Sequence, residues 1–354
     1  MFNTSFAIVK LVLKKKKKNM ENKTFKILSI DGGGIKGLYS AVVLARIEEK
    51  TDKRLTDCFD MICGTSTGGL IALGLANGMS AQSLSDLYFE KGSEIFPTSN
   101  YIFIRIVQSK WKFFKQLLFC NKHSIKPLKL ILENIFGDKT MNDADNLLCI
   151  PSFNLTTGEP RVFKNSHPNT GFFADKNIKM VDVALATSSA PTYFPVHEHN
   201  EFLYADGGVW ANNPSMCGLL EALDYYVGEG KDYDIYQLLS VSSIAQPSGW
   251  SSTSRKSMSF RTWGNKLFQT SLDGQSFFTH FFLSKIVKKI NPKGTYFRIP
   301  PPDLSLPQMG LISMDRADKK ALKTIRTLGN HIGNTYAMNP EILEFFKTEK
   351  TYKK

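Results

Sequence analysis

The sequence has no hydrophobic run long enough to span a bilayer; the apolar stretch at residues 6–13 is too short and is interrupted by Lys10. The lysine run Lys14 to Lys18 follows that stretch, the reverse of the order in a secretory signal. Cysteine is sparse. Cys58, Cys63, Cys120, Cys149 and Cys217 are odd in number, scattered, and free of any C-x-x-C pair. That argues against a disulfide framework or a zinc site and for a reduced, cytoplasmic compartment. Acidic residues are in deficit, leaving a net charge of +13, but unevenly: residues 1–26 carry eight lysines against the single acid Glu21. The rest of the chain is only mildly basic. That gives no basis for a nucleic-acid polymer as partner and suits an anionic membrane surface. There is no internal repeat and no convincing linker. What is present, 42% hydrophobic and 12% aromatic residues in a chain of 354, suffices for a sizeable core in one large domain or two smaller ones.

Residues 1–25 read as a basic, disordered extension, with a weak electrostatic membrane tether as the alternative. From there the pattern is β-α-β-α. Lys26–Asp31 is a short apolar run that meets Gly32-Gly33-Gly34, and residues 35–50 show helical apolar spacing. The run at 60–63 meets Gly64-Thr65-Ser66-Thr67-Gly68, and a small-residue helix follows to about Asn77-Gly78. Alternating strands and helices of this kind predict a parallel α/β core. Residues 93–126 interleave aromatics with Arg105, Lys110, Lys112, Lys115 and Lys122, as a membrane-facing or regulator-binding cap does, or as an ordinary helix with a lysine-rich outer face does. A hairpin is expected about Thr156-Thr-Gly-Glu-Pro160, a helix over 179–186, and a strand over 201–206 ending in Asp206-Gly207-Gly208. Asn213 and Pro214 fit the N-cap and first position of the next helix. Residues 246–354 read as mainly helical and packed on the same domain. Their phenylalanines, among them Phe277, Phe278, Phe281 and Phe282, suit either an acyl-chain groove or plain packing.

Two glycine-bounded turns carry the chemistry. Gly64-x-Ser66-x-Gly68 has the spacing of a nucleophile elbow, in which a sharp strand-to-helix turn exposes the serine Oγ and tiny neighbours let strand and helix pass closely. The helix that follows aims its N-terminal N–H groups at chemistry on that serine. Gly32-Gly33-Gly34-Ile35-Lys36-Gly37 fits a dinucleotide-binding fingerprint, which makes a non-catalytic nucleotide-binding module one reading. Against it, the elbow occupies the place where an acidic ribose partner belongs, and Asp31 would oppose a pyrophosphate. The other reading is an oxyanion hole: consecutive glycines let N–H groups of Gly32, Gly33 and Gly34 converge on a developing negative oxygen. Lys36 adds a cation suited to an anionic or phosphate-bearing substrate. The serine needs a base. His280 and His331 have the right chain order for a Ser–Asp–His triad but end no obvious strand; His197 and His199 read as loop residues. Asp206 ends a strand, as Asp31 and the elbow do, and all three are expected on one rim of a parallel sheet. A carboxylate held away from water gains basicity and takes a serine proton without histidine.

Asp31-Gly-Gly-Gly-Ile-Lys-Gly37, Gly64-Thr-Ser-Thr-Gly68 and Asp206-Gly207-Gly208, in this order, resemble the patatin-like phospholipases. Ala186–Phe194 and Trp210–Pro214 look like two further family segments, so the resemblance covers roughly residues 26–245. It implies a three-layer α/β sandwich with a mainly parallel central sheet and helices on both faces. It also implies a lipid acyl hydrolase with a Ser66–Asp206 dyad, an acyl-enzyme and no metal or other cofactor. Stretches around 64–80, 148–164 and 183–214 further resemble bacterial members that act in anti-phage signalling, switched on by a cyclic dinucleotide to degrade membrane phospholipid. That resemblance implies a cytoplasmic enzyme, peripheral at the inner face of the membrane, with homo-oligomerisation left open. A constitutive lipase of general lipid turnover is the alternative. One departure is Ser240-Val-Ser-Ser-Ile244, where relatives tend to carry a glycine-rich turn.

Overall fold

A computed structural model describes residues 23–97, 121–165, 173–245, 263 and 265–352. Most of the basic extension at 1–25 and of the aromatic segment at 93–126 lies outside the described residues. The chain begins with strand β1 (Thr24–Ile30), helix α1 (Gly37–Thr51), strand β2 (Met61–Gly64) and helices α2 (Thr67–Ala76), α3 (Ala81–Ile95) and α4 (Lys126–Phe136). The hairpin β3 (Leu147–Asn154) and β4 (Glu159–Lys164) follows, then helix α5 (Met180–Ser188) and strands β5 (His197–His199) and β6 (Phe202–Asp206). Helix α6 (Ser215–Tyr225), strand β7 (Ile235–Val241), helix α7 (Asn265–Ile290), strand β8 (Thr295–Ile299) and helices α8 (Lys319–Tyr336) and α9 (Pro340–Phe345) complete it.

The central strands are apolar on both faces, and the period of two sorts their side chains into two cores. Leu28, Ile30, Ile62, Leu148, Ile150, Leu239 and Val241 face a core built with α1, α2, α5 and α8. Phe25, Ile27, Met61, Cys63, Leu147, Cys149 and Leu238 face the other, built with Leu219 of α6 and Leu283 and Val287 of α7. The result is a three-layer α/β sandwich. Strands β2, β1, β7 and β8 run parallel, as does β3 beside β2. β8 lengthens the sheet from within the C-terminal residues. No helix among the described residues is long and apolar enough to cross a membrane.

The expectation that Asp206 ends a strand of the parallel set needs correction. β6 is antiparallel to β3, pairing Tyr204–Asp206 with Asn154–Ser152. β4 takes the opposite edge of β3 along Cys149–Asn154, so β6 must share an edge with β2, which pairs at Leu147–Cys149. β2 and β6 therefore run head-on along one edge of β3. Their C-terminal ends stop about three residues apart in the β3 register, roughly 10 Å. A tight β5–β6 turn, with Asn200 and Glu201 at φ of 50° and 66°, sends β6 inward in that direction.

Candidate active site

The turn after β2 carries Ser66 at φ 54° and ψ −123°, a strained conformation for a residue with a side chain. What holds it there is close approach. A Cβ on Gly64 would stand 2.1 Å from the Gly68 carbonyl oxygen, and one on Gly68 would stand 2.2 Å from that of Ile30. The elbow needs glycine at both places because backbone fills the space. The Ser66 N–H donates to Thr187 Oγ1 at 3.0 Å, and Thr187 Oγ1 donates in turn to the Pro151 carbonyl. α5 thus holds the elbow from the side. Gly37, at the start of α1, lies against Thr67, where a Cβ would approach to 2.8 Å.

Asp206 arrives from the opposing strand. Its own N–H donates to the Ser189 carbonyl just after α5, so one helix end fixes both partners. The Asp206 carboxylate lies close enough to the Ser66 hydroxyl for it to favour the charged form, and the Gly208 N–H donates to Asp206 Oδ1 at 2.7 Å. Burial, opposed by the neighbouring Ser66 hydroxyl and the Gly208 N–H, raises the carboxyl pKa to about 6. This is a carboxylate stripped of water and given few compensating donors. Gly207 lets the turn pass the Pro151 carbonyl, 2.3 Å from where a Cβ would be. Of the histidines weighed as bases, His331 is exposed on α8, and His280 on α7 meets the Tyr296 hydroxyl at 3.1 Å.

The glycine loop after β1 lies beside the dyad: a Cβ on Gly32 would stand 3.2 Å from Ser66 Cβ. One part of the oxyanion expectation does not hold. The Gly32 N–H donates to the Asn212 carbonyl at 3.0 Å and is spent. Among the described residues the N–H groups of Gly33 and Gly34 have no such partner. Gly34 sits at φ 61° with the Met314 carbonyl 2.2 Å from a would-be Cβ, so no other residue fits. Asp31, which opens the loop, is gripped at both oxygens by Arg298 of β8, at 3.1 and 2.5 Å, and Arg298 also donates to Ser240 Oγ at 2.6 Å. Burial works against the Arg298 charge, yet Asp31 keeps its pKa raised. A carboxylate so occupied offers nothing to a nucleotide ribose. Sequence reasoning gave no signal for Arg298, and Thr187 entered only as part of the family segment Ala186–Phe194.

Two cavities flank the loop. A narrow one, about 30 Å³, is apolar and runs from Ser66 and Gly34 past Leu70, Leu128, Tyr193 and Phe194. The larger, about 340 Å³, lies against Gly32 and Gly33 and is lined by Lys36, Ser242, Ser243 and residues of α7. Lys36 is buried, donates to the Ile244 carbonyl at 2.8 Å, and has its pKa lowered to about 8 by burial, against the pull of Asp273 and Asp31. The hydroxyls of Ser242 and Ser243 are buried there with no hydrogen-bond partner. Among the described residues one cluster could hold a metal ion: Asp182, with ring nitrogens of His197 and His199 at 3.1 and 3.4 Å from its oxygens. It sits at the other end of α5 from Thr187.

Residues 28–216, more than half of the chain, match the family model described as "Patatin-like phospholipase". The chain belongs to the patatin-like phospholipase family. It is thereby a hydrolase, and the elbow, the glycine loop and the Asp206 turn all fall within the matched span. Family relatives include a protein of Escherichia coli named "cGAMP-activated phospholipase", 31% identical over 91% of this chain and 92% of its own. One of the same name from Vibrio cholerae is 33% identical over 91% and 94%. The plant "Patatin-like protein 2" of Arabidopsis thaliana is 33% identical over 58% of this chain and 54% of its own. The two bacterial relatives extend past residue 245 into the part of the chain that supplies α7, β8 and Arg298.

Proposed function

We propose that this patatin-like phospholipase cleaves phospholipid acyl esters through a Ser66–Asp206 dyad. As Ser66 Oγ attacks the ester carbonyl carbon, its proton passes to Asp206. The carbonyl oxygen, now an anion, takes hydrogen bonds from the N–H groups of Gly33 and Gly34. The C–O bond breaks, the lysophospholipid oxygen leaves with the proton from Asp206, and the acyl group stays on Ser66. Water then gives a proton to Asp206 and attacks the acyl carbon. Fatty acid leaves as the proton returns to Ser66. The acyl chain enters at the narrow apolar cavity, which at about 30 Å³ has to open to take its length. The head-group phosphate reaches across the loop toward Lys36 and the hydroxyls of Ser242 and Ser243. What carries this reading is a serine held at the tip of its turn with its hydroxyl beside a buried, desolvated carboxylate of pKa about 6.

The activity is gated by a cyclic nucleotide and serves bacterial antiviral defence at the cytoplasmic face of the membrane. The names of the two bacterial relatives, which align with 91% of this chain, support the gating. The test is fatty-acid release from vesicles by purified protein, with and without cyclic dinucleotides. Release by wild type and none by Ser66→Ala is expected; equal release by both overturns the dyad. A rate unchanged by every cyclic dinucleotide overturns the gating and leaves a constitutive lipase.

A further inference from the structure

Helix α7 has two faces of opposite character. One is buried: Leu272, Leu283 and Val287 enter the cores, and Ser276 Oγ accepts a hydrogen bond from Asn212 Nδ2 at 2.9 Å beside the glycine loop. The other turns outward and is aromatic. Phe277, Phe278, Phe281 and Phe282 are 71%, 60%, 52% and 40% exposed, at the i, i+1, i+4, i+5 spacing that puts all four on one side of a helix. Phe278 and Phe282 stack with centroids 6.3 Å apart. The same side carries exposed Lys285, Lys288 and Lys289, with the Lys285 ammonium 5.8 Å from the Phe281 ring centroid. After Asp273 the helix has no acidic residue.

We propose that this face of α7 is the membrane anchor, with an anionic bilayer as its occupant. The proposal rests on the phospholipase reading. Four adjoining exposed phenylalanines are costly in water, and they match the depth at which an interfacial helix buries its apolar side. The lysines beside them choose among occupants. A second copy of this chain would bring its own lysines against these, whereas anionic head groups complement them. Long lysine stems reach up to the phosphates while the rings below enter the acyl boundary. The placement also serves the chemistry. Phe277 lines the larger cavity next to Gly32 and Gly33, so the helix that rests on the lipid also walls the site into which one lipid must pass.

The test is sedimentation of the full chain with vesicles of ether-linked lipids, which have no ester to cleave. One set is equal parts phosphatidylglycerol and phosphatidylethanolamine; the other is phosphatidylcholine. Wild type is expected to bind the anionic set. Phe278→Ser/Phe281→Ser is expected to lower partitioning on the order of a hundredfold, and Lys285→Glu/Lys288→Glu/Lys289→Glu to abolish the preference for anionic lipid. Both variants keep wild-type hydrolysis of a water-soluble short-chain ester, since neither touches the dyad. Unchanged vesicle binding by both variants, or no binding by wild type, overturns the proposal. So does a wild-type dimer that Phe278→Ser/Phe281→Ser splits without affecting binding, because a second copy would then be the occupant. Failure of the dyad reading shows separately, as an absence of Ser66-dependent ester hydrolysis with vesicle binding intact.

Discussion

Replacing Asp206 by asparagine separates what the carboxylate costs the fold from what it gives the chemistry. Its pKa is raised from 3.8 to about 6 because burial penalises the charge more than the Ser66 hydroxyl and the Gly208 N–H offset it. Two units correspond to about 3 kcal/mol. Between pH 4 and 6 the unfolded chain binds fewer protons at this position than the folded one. Stability therefore falls as pH rises through that window and stays lower above it. Asparagine keeps the size and an acceptor for the Gly208 N–H but carries no charge. Asp206→Asn is thus expected to be more stable than wild type at pH 7.5, by up to about 3 kcal/mol, with the gain vanishing below pH 4. The same substitution removes the proton acceptor, lowering kcat by about 10² to 10⁴. In wild type, kcat/KM is expected to rise about tenfold from pH 5 to pH 7 with a single-proton midpoint near 6. Urea unfolding at the two pH values and the pH–rate profile read these out. A variant less stable than wild type at pH 7.5, or a profile flat across pH 5–7, would refute the reasoning.

Gly68→Ala drives a methyl into the Ile30 carbonyl, so a loss of more than about 4 kcal/mol or failure to fold is expected, read by urea unfolding. Arg298→Met leaves the Asp31 carboxylate buried and alone, at a cost of about 3 to 5 kcal/mol in the same assay. Arg298→Lys, which keeps the charge without the two-pronged grip, is expected to recover part of that loss. Lys36→Met is expected to raise KM for a phospholipid and leave that for a neutral glyceride unchanged. In wild type the phospholipid advantage fades as pH rises past about 8, where Lys36 loses its proton.

Much of the site was legible because its residues sit where strands end. Asp31, Gly64 and Asp206 each close an apolar run, and small residues after such runs have few physical explanations besides a tight turn. The β3–β4 hairpin was legible for the same reason: Asn154 Oδ1 accepts from the N–H groups of Thr156 and Thr157, a local turn signal. The cap of α6 was nearly so; Asn213 Oδ1 accepts from the Ser215 N–H, although the helix begins one residue later than Pro214. What depends on distant backbone was not legible. The direction of β6 follows from which edge of β3 is left open, a fact of register rather than of composition. The use of the Gly32 N–H depends on the Asn212 carbonyl, which no local pattern marks. Arg298 lies in a five-residue strand with one fully buried side chain, beside neither a glycine turn nor a repeat of charge.

The central claim is that Ser66 becomes a covalent intermediate because Asp206 takes its proton. Reaction with a fluorophosphonate, followed by peptide mapping, tests it most directly. One adduct is expected, on Ser66, absent from Ser66→Ala and formed far more slowly by Asp206→Asn. An adduct on another residue, or labelling of Asp206→Asn at the wild-type rate, would contradict it.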